Sequence, residues 1–435
     1  MNKLTYILLI STVLFSSCKI GQKYEQPEMN IPQAFDAKIT NEGNASDIGW
    51  SALYKDSVLQ ELITKALDHN KDMLIAAARI KEMAANKRIS FANLFPEVGA
   101  EVAGQKEYLN YGGDSKKYSP ELRANLNVSW ELDIWGKLRW ANEAGVAAYL
   151  QTVEAQKAMH LTIVAQVAQA YFELKALDKE LTIVKQTLDA RREGVRFAET
   201  LIPNLENEIK LKENDLFVLV GEFPIGNIPR GKDDISHLQV PASLPIDLPS
   251  SLLKRRPDMI QAEQKLIEAN AKVGMAYTDM FPSLRLTGRL GGENTELTDF
   301  LKSPTWFISG VLTGPIFNMG KNKARHNAAK AAYEQEVYSY EKSVLNVFKE
   351  VNNSIITFNK MKEVYLSQEA LYNSANSYHE LAKLQYVNGA VKYIDVLDAQ
   401  RQLFDAEIAL NNATLNELYS LVALYKALGG GLNRD

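Results

Sequence analysis

Cysteine is almost missing from this 435-residue chain: Cys18 stands alone, so no intramolecular disulfide framework can be built. Histidine is nearly as sparse. His69, His160, His237, His326 and His379 are scattered without metal-ligand spacing and read as ordinary surface or core residues. Charge of one sign is lacking too, since a net charge of -4 leaves no electrostatic footprint for nucleic acid, which is not expected as a partner. Past residue 18 there is no run of about 18 apolar residues, so further contact with a membrane has to be made by strands. The nearest approach to a phosphate loop, Gly314 to Lys321, puts five residues between its glycines and has Asn322 where Ser or Thr belongs. With no triad, metal cluster or carboxylate pair in sight, the chain is not expected to be an enzyme or to carry a cofactor.

What is present begins with an export segment. Lys3 supplies a positive start, Leu4 to Phe15 are apolar, and Ser16-Ser17-Cys18 supply small residues for cleavage, so residues 1–17 read as a signal peptide. A plain secretory signal with an incidental cysteine is one reading. The arrangement also resembles a bacterial lipoprotein signal, although Phe15 departs from the leucine usual three residues before the cysteine. That resemblance makes Cys18 the lipid attachment site, and Lys19 in place of aspartate implies sorting to the outer membrane.

The mature chain then reads almost twice through itself. Asp72-Met73, Phe95-Pro96 and Gly136-Lys137 recur as Asp258-Met259, Phe281-Pro282 and Gly320-Lys321. The offset is about 186 residues at the first two landmarks and about 184 at the third. Phe197-Ala198-Glu199 still matches Leu381-Ala382-Lys383 at about 184, but Leu219-Val220-Gly221 matches Ala427-Leu428-Gly429 at about 208. About 24 residues of the second copy, Gln385 to Ile408, therefore have no counterpart. The organisation is an N-terminal extension at 18–50, a first repeat at 51–221 and a Pro-rich connector at 222–250. A second repeat at 251–430 and a tail at 431–435 complete it.

Each repeat changes period partway. Helical pattern runs from about Ser57 to Asn93, with Asp72 as a turn or cap residue, and Phe95-Pro96 stops it. Leu122, Ala124, Leu126, Val128, Trp130 and Leu132 then alternate with Arg123, Asn125, Asn127, Ser129 and Glu131, which is a strand with one oily and one wet face. Val98, Ala100 and Val102 make its shorter partner, and Tyr111-Gly112-Gly113-Asp114 is turn chemistry between them. The second copy repeats the hairpin: Leu284, Leu286 and Leu290 lead out, and Trp306, Ile308 and Leu312 return. The hairpins are placed at about 97–132 and 283–316. Long helices at about 137–199 and 321–384 follow them, their apolar residues at coiled-coil steps.

Four strands facing lipid cannot close a barrel, because single-chain barrels need about eight. Three chains would supply twelve and set the helices in a ring around a wet interior. The bland alternative is a soluble bundle with two ordinary hairpins.

At this point the residues carry a family likeness. The chain resembles TolC-like outer-membrane factors, in the lipoprotein branch that partners RND-type pumps. The likeness rests on Ile20-Gly21-Gln22-Lys23-Tyr24-Glu25-Gln26-Pro27, Trp130-Glu131-Leu132-Asp133-Ile134-Trp135-Gly136-Lys137, Lys254-Arg255-Arg256-Pro257-Asp258 and Leu424-Tyr425-Lys426-Ala427-Leu428-Gly429-Gly430-Gly431. It implies a mixed α and membrane-β fold: a homotrimer whose 12-stranded β-barrel, four strands per chain, continues into a long α-helical coiled-coil barrel. It also implies a passive exit duct for drugs or toxic compounds, anchored in outer-membrane lipid and reaching into the periplasm. The partners implied are a periplasmic adaptor (a membrane fusion protein) and an inner-membrane RND-type pump.

Tyr386 to Ala399 resembles the family's periplasmic hairpin tip. The likeness assigns the turn and adaptor docking to Gly389 and Val391, and a pore constriction to Asp395, Asp398 and Tyr386. Threefold symmetry would bring six carboxylates together, where like-charge repulsion and cation binding are expected. Both aspartates also read as solvated helix-surface residues, and Tyr386 as a packing residue. Val391 stands where some relatives have arginine, which argues against a salt-bridge latch. In the first copy the helix is expected to end at Thr200 and to turn at Leu201-Ile202-Pro203-Asn204, with about 12 residues missing from each arm. A rival function is a lipid-anchored periplasmic coiled-coil scaffold that does not conduct.

Overall fold

The computed structural model describes residues 19–35, 48–110, 116–190, 195–238, 240–241, 249–294 and 304–430. The export segment, Cys18, the Tyr111-Gly112-Gly113-Asp114 turn and the 431–435 tail lie outside them. In order come α1 (Trp50–Leu53), α2 (Ser57–His69), α3 (Lys71–Ala92), β1 (Glu97–Asn110), β2 (Lys116–Leu132), α4 (Lys137–Ala190) and α5 (Val195–Leu219). The second half carries α6 (Pro249–Arg255), α7 (Pro257–Thr278), β3 (Ser283–Asn294), β4 (Pro304–Thr313), α8 (Lys321–Val387) and α9 (Tyr393–Ala427). The sequence repeat is thus a structural one. Helices α3 and α7 are both 22 residues long, and strands and long helices follow each in the same order.

Local signals set most boundaries. Asp56 caps α2 by accepting from the N–H groups of Val58 and Leu59 at 2.9 and 3.3 Å. The helical stretch read as continuous from Ser57 is broken at Asn70, whose side-chain oxygen accepts from the N–H groups of Asp72 and Met73. Asn70 is therefore the cap, and Asp72 sits in the first turn of α3. Pro257 opens α7, where its missing N–H costs nothing. Helices α5 and α9 end alike: Gly221 and Gly429 both take positive φ, at 78° and 89°. In each, the glycine N–H and the next N–H donate to carbonyls three and five residues back, closing a Schellman motif.

Two compact units emerge. The first comprises the described residues up to Pro27 together with Ile80–Gln151 and Ala262–Tyr340, and it holds a four-stranded antiparallel sheet of order β1-β2-β3-β4. Glu97 pairs with Ser129, Leu126 with Leu290, and Ser283 with Thr313. Strands β1 and β4 are its edges, each paired on one side only within the chain.

The second unit, Glu28–Arg79, Thr152–Gln261 and Glu341 onward, is helical around a core that includes Leu59, Ile63, Tyr171, Leu216, Ile355 and Leu421. Lys175 and Asp56, both buried, pair at 2.9 Å, and the Tyr171 hydroxyl donates to Asp56 at 2.9 Å. Arg230, in the connector, pairs with Asp178 at 2.8 Å and with Glu213. Burial raises the Asp56 carboxyl, but Lys175 and Tyr171 outweigh it and hold the group below its ordinary value. Glu213 is likewise pushed up by burial and drawn further down by Lys210 and Arg230. Arg256, from the basic cluster before α7, is buried, bonds the carbonyl of Ala427 and pairs with Glu350 at 2.8 Å. Burial opposes its charge, and Asp258 and Glu350 more than restore it.

The first long hairpin departs from expectation. Helix α4 stops at Ala190 instead of near Thr200, and α5 starts at Val195 with Pro203 inside it. Residues 191–194, between the two helices, lie outside the described residues. Pro203 suits a helix start, since it lacks an N–H, yet it lies inside α5. It is tolerated within α5 because it is exposed, where water can satisfy the carbonyl it leaves free. Arm lengths are 54 and 25 residues in the first copy against 67 and 35 in the second. The missing stretch is thus shared between the arms, which are shorter by roughly 20 and 15 Å at 1.5 Å per residue.

Candidate functional site

Register decides which side chains share a face of the sheet. Val98 opposes Val128, Leu126 opposes Leu290, Leu290 opposes Trp306, and Leu284 opposes Leu312. The alternation read in each strand is therefore summed into one apolar face across all four. Val98, Val102, Leu126, Leu290, Trp306, Ile308 and Leu312 on it are exposed in the single chain. A patch of this extent has no place in water and marks a surface that is covered in the working protein. The other face is polar and internally bonded. Arg285 pairs with Glu131 opposite it at 3.5 Å, Arg123 donates to Gln105 at 3.0 Å, and Asn127 donates to Glu101 at 3.2 Å. Phe307 and Val311 are apolar exceptions on that side.

The segment after Cys18 is fixed to the first unit. Lys19 lies 3.3 Å from the centre of the Trp140 ring and pairs with Glu143. The carbonyl of Ile20 accepts from Trp140 Nε1 at 2.7 Å, and that of Gln22 accepts from Asn270 at 3.1 Å. Any lipid on Cys18 would thus be tethered to a held strap.

At the far end of α8, Gly389 takes φ +69°. Its N–H donates to the carbonyl of Tyr386 at 2.9 Å and that of Ala390 to Gln385 at 2.8 Å, again a Schellman motif. Lys392 then caps α9, and the Asp395 carboxylate accepts the Lys392 N–H at 2.9 Å. Asp398, one turn on, accepts from Arg401 at 3.1 Å and Gln402 at 2.7 Å. Arg401, followed by Gln402, holds the Asp398 carboxyl below its ordinary value. The Tyr386 ring packs on Tyr393, centroids 5.4 Å apart. Val391 is half-buried, while Val387 and Ile394 are exposed. Below the turn, Ala382, Val396 and Ala399 form a small core of their own.

All five expected tip residues thus fall within one turn and its flanking helix ends. Sequence reading missed Tyr393, Arg401 and Gln402. The tyrosine was signalled by its placement opposite Tyr386 across the turn. Arg401 and Gln402 were signalled by their three- and four-residue spacing from Asp398.

Among the described residues no helix is long and apolar enough to cross a membrane, and no group of histidine, cysteine, aspartate and glutamate is poised to hold a metal.

Against known proteins, the family described as outer membrane efflux protein matches residues 62–203 and 248–430. The cation efflux system protein CusC of Escherichia coli is 30% identical over 446 residues, covering 96% of each chain. The probable outer membrane lipoprotein SilC of Salmonella typhimurium is 30% identical, with 98% of each covered. Among solved structures, the open state of the Neisseria gonorrhoeae MtrE outer membrane channel superposes with a TM-score of 0.89. It is 29% identical, with 96% of this chain and 99% of that one covered.

Proposed function

This chain belongs to the outer membrane efflux protein family, and from that premise we propose how it forms its duct. It is an outer-membrane exit channel of an efflux system, extending into the periplasm. Three copies join edge to edge into a 12-stranded barrel, with the apolar face against lipid and the polar face lining water. The single observation that carries this is the register, which gathers the apolar positions of four strands onto one face while leaving β1 and β4 unpaired on their outer sides. In lipid an open edge leaves backbone groups unsatisfied, so closure with further copies follows.

The long helices continue the barrel as a coiled-coil tunnel, and Cys18 carries the lipid anchor. At the tip, Asp395 and Asp398 from each copy narrow the entrance together with Tyr386, and the turn at Gly389 and Val391 meets a periplasmic adaptor coupled to an RND-type inner-membrane pump. Cargo is small drugs or toxic compounds, moved passively, since a wide wet duct needs no catalytic group. Purified protein in a planar bilayer should give discrete conductance steps. Their absence would favour the non-conducting scaffold instead.

A further inference from the structure

The internal duplication does more than copy elements, because it also copies strand register. Residues of β3 stand 186 positions after their equivalents in β1, and residues of β4 stand 184 after theirs in β2. Glu97 pairs with Ser129, and their equivalents Ser283 and Thr313 pair as well. The relation between copies therefore holds residue for residue over the ten pairs of β3 with β4 and their equivalents in β1 and β2.

One seam inside the chain joins the copies: β2 of the first to β3 of the second, with Leu132 opposite Leu284 and Val128 opposite Gly288. Its counterpart, β4 of the second copy against β1 of a first copy, does not occur within one chain, where both strands are edges. We propose that this missing seam forms between neighbouring chains in the register that the duplication dictates, with Leu312 opposite Val102 and Ile308 opposite Lys106. The inference rests on the trimer reading above and adds which residues meet.

Two independent observations favour it. The transferred register keeps parity, so Leu312 and Val102, both on the apolar face, are brought together. A one-residue slip would put one of the two strands wrong side out. The second observation lies at the base of the sheet. Within the chain Trp135, after β2, packs on Phe281 with ring centroids 5.1 Å apart and donates to the Pro282 carbonyl at 2.7 Å. The equivalent positions after β4 and before β1 are Met319 and Phe95-Pro96. Here they are uncovered: Met319 and Phe317 are 85% and 81% exposed, Ile316 is fully exposed, and Phe95 is 54% exposed. The same seam that pairs Leu312 with Val102 would bring Met319 of one chain onto Phe95 of the next. The methionine side chain has no N–H to give Pro96, so this junction lacks the indole hydrogen bond of its intrachain twin.

Paired cysteines in the full-length protein test the register in isolated outer membranes. Opposed residues of antiparallel strands have Cα atoms about 4.5–5.5 Å apart, within disulfide reach, whereas a two-residue slip adds roughly 7 Å along the strand and breaks it. Under mild oxidation, L312C combined with V102C should yield covalent dimers and trimers, as should I308C with K106C. L312C combined with A100C or with G104C should stay monomeric on denaturing gels. Cross-linking of either shifted pair in place of the first would overturn the register while leaving the trimer standing. So would no cross-linking in a particle with the mass of three chains. A native mass of one chain, without cross-links, would remove the trimer reading and the seam with it. The second cysteine pair guards against a variant that fails to insert.

Discussion

The carboxylate of Asp395 accepts the backbone N–H of Lys392 at 2.9 Å, so this aspartate closes the first turn of α9 as well as standing at the tip. The Asp398 carboxylate is held by the side chains of Arg401 and Gln402 instead. The two carboxylates therefore do different things. D395A should cost about 1 kcal/mol of local stability and speed amide exchange across residues 392–396, whereas D395N, which keeps an acceptor, should change exchange little. D398N should leave tip exchange unchanged and alter single-channel conductance and its block by cations. Equal exchange in D395A and wild type would remove the capping role.

The ion pair of Asp56 with Lys175 makes a signed prediction about acid. A carboxyl held below its unfolded value stabilises the fold above that value, near 4, and the contribution fades as pH falls through the folded one. Thermal stability should therefore decline from about pH 5 downward, and D56N should flatten that decline. In K175M Asp56 loses its main partner but keeps the Tyr171 hydroxyl and the N–H groups of Val58 and Leu59, so the decline in acid should shrink. At neutral pH K175M should lose about 3–5 kcal/mol, with part recovered when D56N, which keeps the cap of α2, is added. Melting curves of the four proteins between pH 3 and 8 check the decline and its reduction.

Much of this was legible beforehand, for identifiable reasons. The strands were readable because Leu122 to Leu132 alternate without exception, and period two admits one interpretation. Summing the faces was not, since register depends on pairing between distant residues such as Leu126 and Leu290. The cap at Asn70 was missed because asparagine and the nearby Asp72 are both good cap residues and only geometry chooses between them. Pro203 misled because its chemistry suits a helix start, and its tolerance inside α5 comes from exposure that a sequence does not show. The pairs of Asp56 with Lys175 and of Arg230 with Glu213 join residues up to 119 positions apart and left no local pattern.

The two faces of the sheet should respond oppositely to the same charge. Val128 and Leu126 lie on the apolar face, with Ser129 between strands' polar residues on the other. V128R or L126R should cost roughly 2–4 kcal/mol if that residue lies near the bilayer midplane and should reduce the amount of protein in the outer membrane. S129R should insert normally and change conductance or ion selectivity instead. Equal loss from both faces in a membrane-fractionation assay would mean that the sheet is not lipid-facing on one side only.

The unequal hairpins make the last prediction. With arms of 54 and 25 residues, α4 and α5 lack the stretch that in α8 and α9 carries Gly389, Asp395 and the exposed Val387 and Ile394. A trimer then presents three complete tips instead of six, and an adaptor that grips every tip loses half of its contact surface. Since affinity follows a few well-packed residues more than area, the loss should appear chiefly as faster dissociation. Replacing residues 191–194 with a second copy of residues 375–402 restores equal arms. The grafted chain should show more adaptor cross-linking and higher drug tolerance in an efflux-deficient host at equal outer-membrane abundance. If the natural chain already matches the graft on both counts, the short hairpin is no handicap, and docking must rest on the α8–α9 tip alone.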